Sequence, residues 1–232
     1  MVRRWIRHHA PLALLSAASV AGLYFTRSYS DWVMRLSFST AYPAMLLLAI
    51  TLLSGPWNVM RRHANPVSSD LRRDLGIWAA VLAIVHTAIG QCVHLRGRPW
   101  LYYVYGPTEH HHSFPLRHDL FGFANYTGAA CVLPIALLLA TSNDWALRRL
   151  GAADWKKLQR WNYAVFALAA AHAIGYLEIE KQRLPFVAVI VAAIMLAAAM
   201  QAVGFALRRR RAKIATMKPA DVRAVAGRQR ER

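Results

Sequence analysis

His86 and His172 are the residues whose type and setting most directly imply chemistry in this chain. Each stands inside an apolar run, where an ionisable side chain is expensive to insert and is therefore a functional candidate. His86 lies 12 residues beyond Asp74, and His172 lies 12 residues beyond Arg160, the positions where their apolar segments begin. If both segments are helices running in the same sense, a rise of 1.5 Å per residue places both imidazoles about 18 Å in, at one depth. Two neutral imidazoles facing each other inside a bundle are what a haem iron takes as axial ligands. A tetrahedral zinc site would need further donors, and the sequence offers none at that level. Ala169, Ala170, Ala171, Ala173 and Gly175 leave room for a flat macrocycle beside the second histidine, although close helix packing uses the same small residues. The rival reading makes His86 and His172 polar or proton-relay contacts in a small transporter or structural membrane protein without haem. Against it stand the lack of an intramembrane acid partner for them and of an inverted repeat.

Further histidines and arginines follow His86. His94 is 8 residues on, rotated by about 80° and displaced by ~12 Å, so from that helix it does not reach the same iron. His94, Arg96 and Arg98 are candidate contacts for a haem propionate, since guanidinium and imidazolium groups pair well with carboxylates. The loop from His94 to His118 also carries Glu109, His110, His111 and His112 among Trp100, Tyr102, Tyr103 and Tyr105. The aromatics read as an interfacial belt. The histidine run reads either as an iron or copper site or as a solvated loop, and consecutive histidines pointing in different directions favour the loop. Cys92 and Cys131 form no Cys-x-x-Cys pair. Arg148, Arg149, Lys156 and Lys157 are explained by topology alone. No glycine-rich nucleotide loop, Walker loop or nucleophile elbow occurs, so any electron donor is a separate molecule.

The elements that must position these groups follow from composition. The 232 residues are 56 % hydrophobic and 17 % charged with a net charge of +18, which points to a membrane protein and away from a compact soluble enzyme. The basic residues fall in short runs without a reading motif, which excludes sequence-specific nucleic-acid binding. Six runs, at 10–26, 36–54, 74–93, 119–141, 160–177 and 184–207, have the ~17–25 residues needed to cross a bilayer as helices. Short connections make neighbours antiparallel, so the expected fold is all-α, an integral membrane six-helix bundle. Pro43 and Pro134 fall within spans. Of the 29 Lys and Arg residues, 22 fall on the side of the two termini and 7 on the other, which predicts that both termini are cytoplasmic. The chain then divides into a cytoplasmic N-terminus at 1–9, a transmembrane haem-binding domain at 10–207 and a basic, disordered cytoplasmic tail at 208–232 near anionic lipid. Arg3, Arg4 and Arg7 before an apolar run also fit a signal peptide with a weak cleavage match at Ser19-Val20-Ala21, but the run continues through Phe25, which favours an anchor.

Two stretches resemble the ferric reductase-like transmembrane domain family, and within it the haem-binding membrane subunits of periplasmic methionine sulfoxide reductase systems. One is Arg72-Arg73-Asp74-Leu75-Gly76 leading to His86; the other is Trp155-Lys156-Lys157-Leu158-Gln159-Arg160-Trp161, then Tyr163 and His172. The resemblance covers roughly residues 40–180. It implies an oxidoreductase subunit of a bacterial-type inner membrane that carries haem b and passes electrons from a quinol or flavoprotein donor to a periplasmic reductase subunit or ferric iron. It also allows a bound flavin. The family commonly has a histidine where this chain has Gln159, 13 residues before His172, and Arg73 stands 13 residues before His86. An amide is a poor iron ligand, so one haem is expected, with His63 the candidate ligand for a second. The long histidine-bearing loop departs from the sulfoxide reductase subunits, which leaves the broader family as the better match.

Overall fold

The computed structural model describes residues 4–26, 29–61, 70–95, 97–106 and 115–215, and these are helical apart from short connections and one isolated antiparallel bridge between Val104 and Leu116. Seven α-helices follow one another among the described residues: α1 (Ala10–Thr26), α2 (Trp32–Met60), α3 (Asp70–Gly90), α4 (Leu120–Ala140), α5 (Asp144–Gln159), α6 (Trp161–Ile179) and α7 (Leu184–Ala215). A π-turn at Trp5–His9 precedes α1, and a 3-10 turn at Pro99–Tyr102 follows α3.

Among the described residues, five helical segments are long and apolar enough to cross a membrane. Their outward faces are themselves apolar, with Leu14, Phe25, Leu133, Leu184 and Phe205 all strongly exposed. A helix that is hydrophobic all round needs an apolar surrounding on every side. The sixth expected span, α6, falls short of that measure because Asn162, His172 and Glu178 lower its hydropathy. α2 is the central post: 67 % of its apolar stretch is buried, against 11 % to 33 % for the other four. It packs against α1, α3 and α7, while α4 packs on α6.

Three differences from the expected spans stand out. α2 starts at Trp32 because the carboxylate of Asp31 accepts the Val33 N–H and caps it, and it continues through Pro56 to Met60. Pro56 donates no hydrogen bond to the carbonyl four residues back, Leu52, and Gln201 Nε2 of α7 supplies one at 2.6 Å. Gly204 lets α7 lie directly on that proline, since a Cβ there would meet Pro56 Cβ at 3.0 Å. The connection after the fourth span, expected as a plain loop, holds the amphipathic α5, capped by the Asn143 side chain on the Ala146 N–H. Its inward residues Ala146 and Trp155 are buried, and Trp155 Nε1 donates to Thr141 O at 2.9 Å, a carbonyl at the end of α4. Gly151, at φ +75°, divides α5 into two short pieces. α7 continues to Ala215, eight residues past the expected end at 207, and residues 216–232 of the expected tail lie outside the described residues.

Candidate functional site

α3 and α6 run past one another with little direct backbone approach, held apart by α2 on one side and α4 on the other. The space between them is a cavity of about 430 Å³. His86 of α3 and His172 of α6 both line it, their ring centroids 6.0 Å apart and their planes inclined at 72°. The structure therefore brings together the two histidines whose spacing in the sequence gives them equal depth.

Each ring is anchored through the same nitrogen. His86 Nδ1 lies 3.0 Å from the carbonyl oxygen of Ser37 on α2, and His172 Nδ1 lies 2.8 Å from that of Ala124 on α4. A carbonyl only accepts, so Nδ1 carries the proton in both rings and Nε2 keeps its lone pair. No hydrogen-bond partner of either Nε2 is found among the described residues. This is the arrangement in which a metal-ligating histidine is oriented by donating its other N–H to a backbone carbonyl.

Small residues make the anchoring feasible. Gly128 of α4 faces His172, and a Cβ at this position would fall 2.7 Å from Nδ1. Gly175 of α6 lets that helix approach α4, where a Cβ would lie 2.8 Å from Ala124 Cβ. Tyr176, one turn on from His172, has its ring 4.9 Å from the imidazole and donates its hydroxyl to Asn125 Oδ1 at 3.0 Å. Ser37, Ala124 and Gly128 were not legible as site residues, because the groups used are two backbone carbonyls and a missing side chain. The one available signal was a glycine in the interior of an apolar helix.

The other expected residues are placed as follows. His94 lines the same cavity near the Gly90 end of α3, its Nε2 3.0 Å from Glu180 Oε1, among Tyr102, Phe121 and Tyr176. Arg98 is exposed in the turn before Pro99. Arg96, His63, Glu109, His110, His111 and His112 lie outside the described residues. Tyr102, almost wholly buried, donates its hydroxyl to Gly90 O at 3.0 Å and accepts the His94 N–H at 2.8 Å, closing the end of the helix that carries His86. Burial raises the phenol above its ordinary range.

At the opposite end of α3, Asp74 is fully buried and receives Arg4, His8 at 2.8 Å and His9 at 3.3 Å, which fastens the first turn of the chain to α3. The Arg4 guanidinium is pushed above its ordinary range, mainly by its hydrogen bond to Asp74. Arg73 is held by Asp144 and Asp70, and the hydrogen bond from Arg73 lowers the Asp144 carboxyl below the usual carboxylate range. Gln159 accepts from Asn162 Nδ2 at 3.2 Å. Among the described residues, no group of three or more His, Cys, Asp or Glu side chains is placed to hold a metal ion. A bare ion between His86 and His172 would therefore have two protein donors there.

No family model matches the chain, and no solved structure does. A protein of Treponema pallidum (strain Nichols), described as uncharacterized, is 30 % identical over 139 residues, or 59 % of this chain. The chain spans about a third of the length of that relative, 32 %.

Proposed function

We propose that the chain is a haem b-carrying electron-transfer protein of a bacterial-type inner membrane, with both termini cytoplasmic. The observation that carries the reading is the pair His86 and His172, 6.0 Å apart and each turned by a backbone carbonyl so that Nε2 is the free nitrogen. A metal held at about 2 Å by each Nε2 would fit a separation of ~6 Å between the ring centroids. The separation of α3 and α6 suits a flat group between the two rings, and a porphyrin would add donors to the two histidines that the described residues supply.

In this reading His86 and His172 hold the iron, and Ser37 and Ala124 hold the two imidazoles in one tautomer, which strengthens both nitrogen donors. Haem bound there would supply a one-electron carrier. The surrounding apolar side chains keep water from the site, and ligation by two neutral imidazoles with burial tunes its potential. His94, which lies beside Glu180, is assigned the contact with an acid group at the outer rim, and Arg96 and Arg98 remain candidates from the sequence. The donor, a quinol or a flavoprotein, and the acceptor, a periplasmic reductase subunit or ferric iron, are assigned by resemblance, as is any flavin.

The visible spectrum of the purified protein tests this. A Soret band that sharpens and shifts on dithionite reduction is expected. A colourless, folded preparation that cannot be reconstituted with haemin would overturn the proposal and favour the transporter or structural reading.

A further inference from the structure

We propose that α5 lies in the headgroup layer and docks on anionic lipid, with Trp145 as its apolar anchor and Arg148 and Arg149 as its charge contacts. Connectivity sets its depth. α5 begins at Asp144, four residues after the apolar α4 ends at Ala140, and α6 begins two residues after α5 ends at Gln159. In the membrane reading α4 crosses hydrocarbon, so a helix that starts four residues beyond its end is held where hydrocarbon gives way to headgroups. The Arg73–Asp144 pair fixes α5 to the end of α3 that also receives Arg4 on Asp74.

One face of α5 belongs to the protein, since Ala146 and Trp155 are buried and Trp155 Nε1 donates to Thr141 O. Another face carries Trp145, 68 % exposed, with the exposed Arg148 and Arg149 three and four residues on, a spacing that puts all three side by side. The positive-inside bias accounts for the sign of those charges, but it does not place a tryptophan among them. An aromatic ring beside basic residues at a bilayer surface is the pattern of a helix lying in the interface. Exposed apolar positions run on in sequence from Leu133 and Leu137 of α4 through Trp145 and Leu150 to Trp161 of α6. Leu133, 77 % exposed, lies two turns inside α4, where lipid reaches and a soluble partner does not.

Charge selects the kind of lipid. Both carboxylates of α5 are engaged, Asp144 by Arg73 and Asp154 by Lys157 at 2.8 Å. Arg148 adds its field to that of Arg73 at Asp144, while Arg149 and Lys156 extend the exposed positive surface. The helix is left with an excess of cations, which an anionic headgroup layer matches and a zwitterionic one does not.

This inference rests on the membrane reading but not on haem. The full chain, first shown to stay with membranes through an alkaline carbonate wash, is reconstituted in lipid nanodiscs. These contain rising shares of phosphatidylglycerol or phosphatidylcholine brominated near the glycerol end of the acyl chains. Trp145 is one of eight tryptophans, so its quenching is read as the difference from Trp145→Phe. At low salt, half-quenching should need less brominated phosphatidylglycerol than phosphatidylcholine. Arg148→Gln and Arg149→Gln should each lower that preference about fivefold, the effect of one basic residue at an anionic surface. Arg183→Gln, exposed in the connection at the other end of α6, should leave it unchanged. High salt should erase the preference in the parent chain, which tests the same contact even where a variant fails to fold. Equal quenching by the two lipids at low salt overturns the anionic assignment, as does a preference that survives both high salt and the arginine substitutions. No quenching of Trp145 by either lipid places α5 in water and overturns the docking altogether. Release by carbonate overturns the membrane reading and this inference together.

Discussion

At the scale of single residues, the site depends on which nitrogen of each imidazole is occupied. Ser37 O and Ala124 O take the two Nδ1 protons, so His86 and His172 present the same nitrogen to the cavity's occupant. His86→Ala and His172→Ala should each abolish the low-spin haem spectrum, because removal of either imidazole leaves the iron at best five-coordinate. The double variant should be little worse than either single one, as for residues sharing a partner, and His94→Ala should keep the spectrum. A bis-histidine electron paramagnetic resonance signal persisting in His86→Ala would exclude that residue as a ligand. Gly128→Ala offers a finer probe. Its Cβ would fall 2.7 Å from His172 Nδ1, so the ring must leave the Ala124 carbonyl or the helices must part. Haem per protein should fall while circular dichroism stays helical, and adding Gly128→Ala to His172→Ala should change nothing further. Full haem occupancy in Gly128→Ala would show that the close approach is not needed.

At the scale of elements, the helix that carries His86 is held at both ends by groups far from the cavity's centre. The buried Tyr102 hydroxyl joins the last turn of α3 to the segment that follows. Tyr102→Phe removes the partner of the His94 N–H, while Gly90 O keeps the Val93 N–H, and should cost about 1 kcal/mol in thermal or denaturant unfolding, with the haem spectrum retained in the folded fraction. The other end of α3 is tied to α5 through Arg73 and Asp144. Because Arg73 lowers the Asp144 carboxyl in the folded state, the tie contributes stability above the unfolded carboxylate range and loses it as pH falls through the lowered folded value. Asp144→Asn should remove that part of the acid-side decline. At neutral pH it should cost less than ~1 kcal/mol, since the Asp144 side chain is 62 % exposed and water screens the pair. An acid-unfolding profile identical to the parent's would assign the pair no role in stability.

At the scale of the whole molecule, the proposed electron carrier would take its direction of flow from topology. With 22 of 29 cationic residues on the side of the termini, reporter fusions after α7 should behave as cytoplasmic, and fusions in the connection between α3 and α4 as external. The reverse pattern would invert donor and acceptor sides. Stoichiometry is the second test at this scale. Arg73 is held by two carboxylates and Gln159 by Asn162, so the Arg72 end of the cavity presents no imidazole among the described residues. Pyridine haemochrome assay against protein concentration should give about one haem per chain, the number one facing pair can hold. A value near two would point to a ligand outside the described residues, with His63 the first candidate.

The sequence alone determined the helical class, the placing of the apolar helices to within a few residues at most ends, and the equal depth of His86 and His172. These are one-dimensional properties: hydrocarbon leaves a spanning backbone few ways to satisfy its own polar groups, and rise per residue converts spacing into depth. α5 was missed because its polar, amphipathic pattern carries no signature of a span, and burial of Ala146 and Trp155 against neighbouring elements stabilises it. The extension of α2 through Pro56 depended likewise on Gln201, 149 residues from the carbonyl it satisfies. Tertiary structure alone decided which helices are neighbours around the cavity, which carbonyls orient the histidines, and that Gly128 makes room for one of them. Those contacts join residues 49 and 48 positions apart through backbone atoms that every residue type possesses, so no local pattern of side chains could announce them.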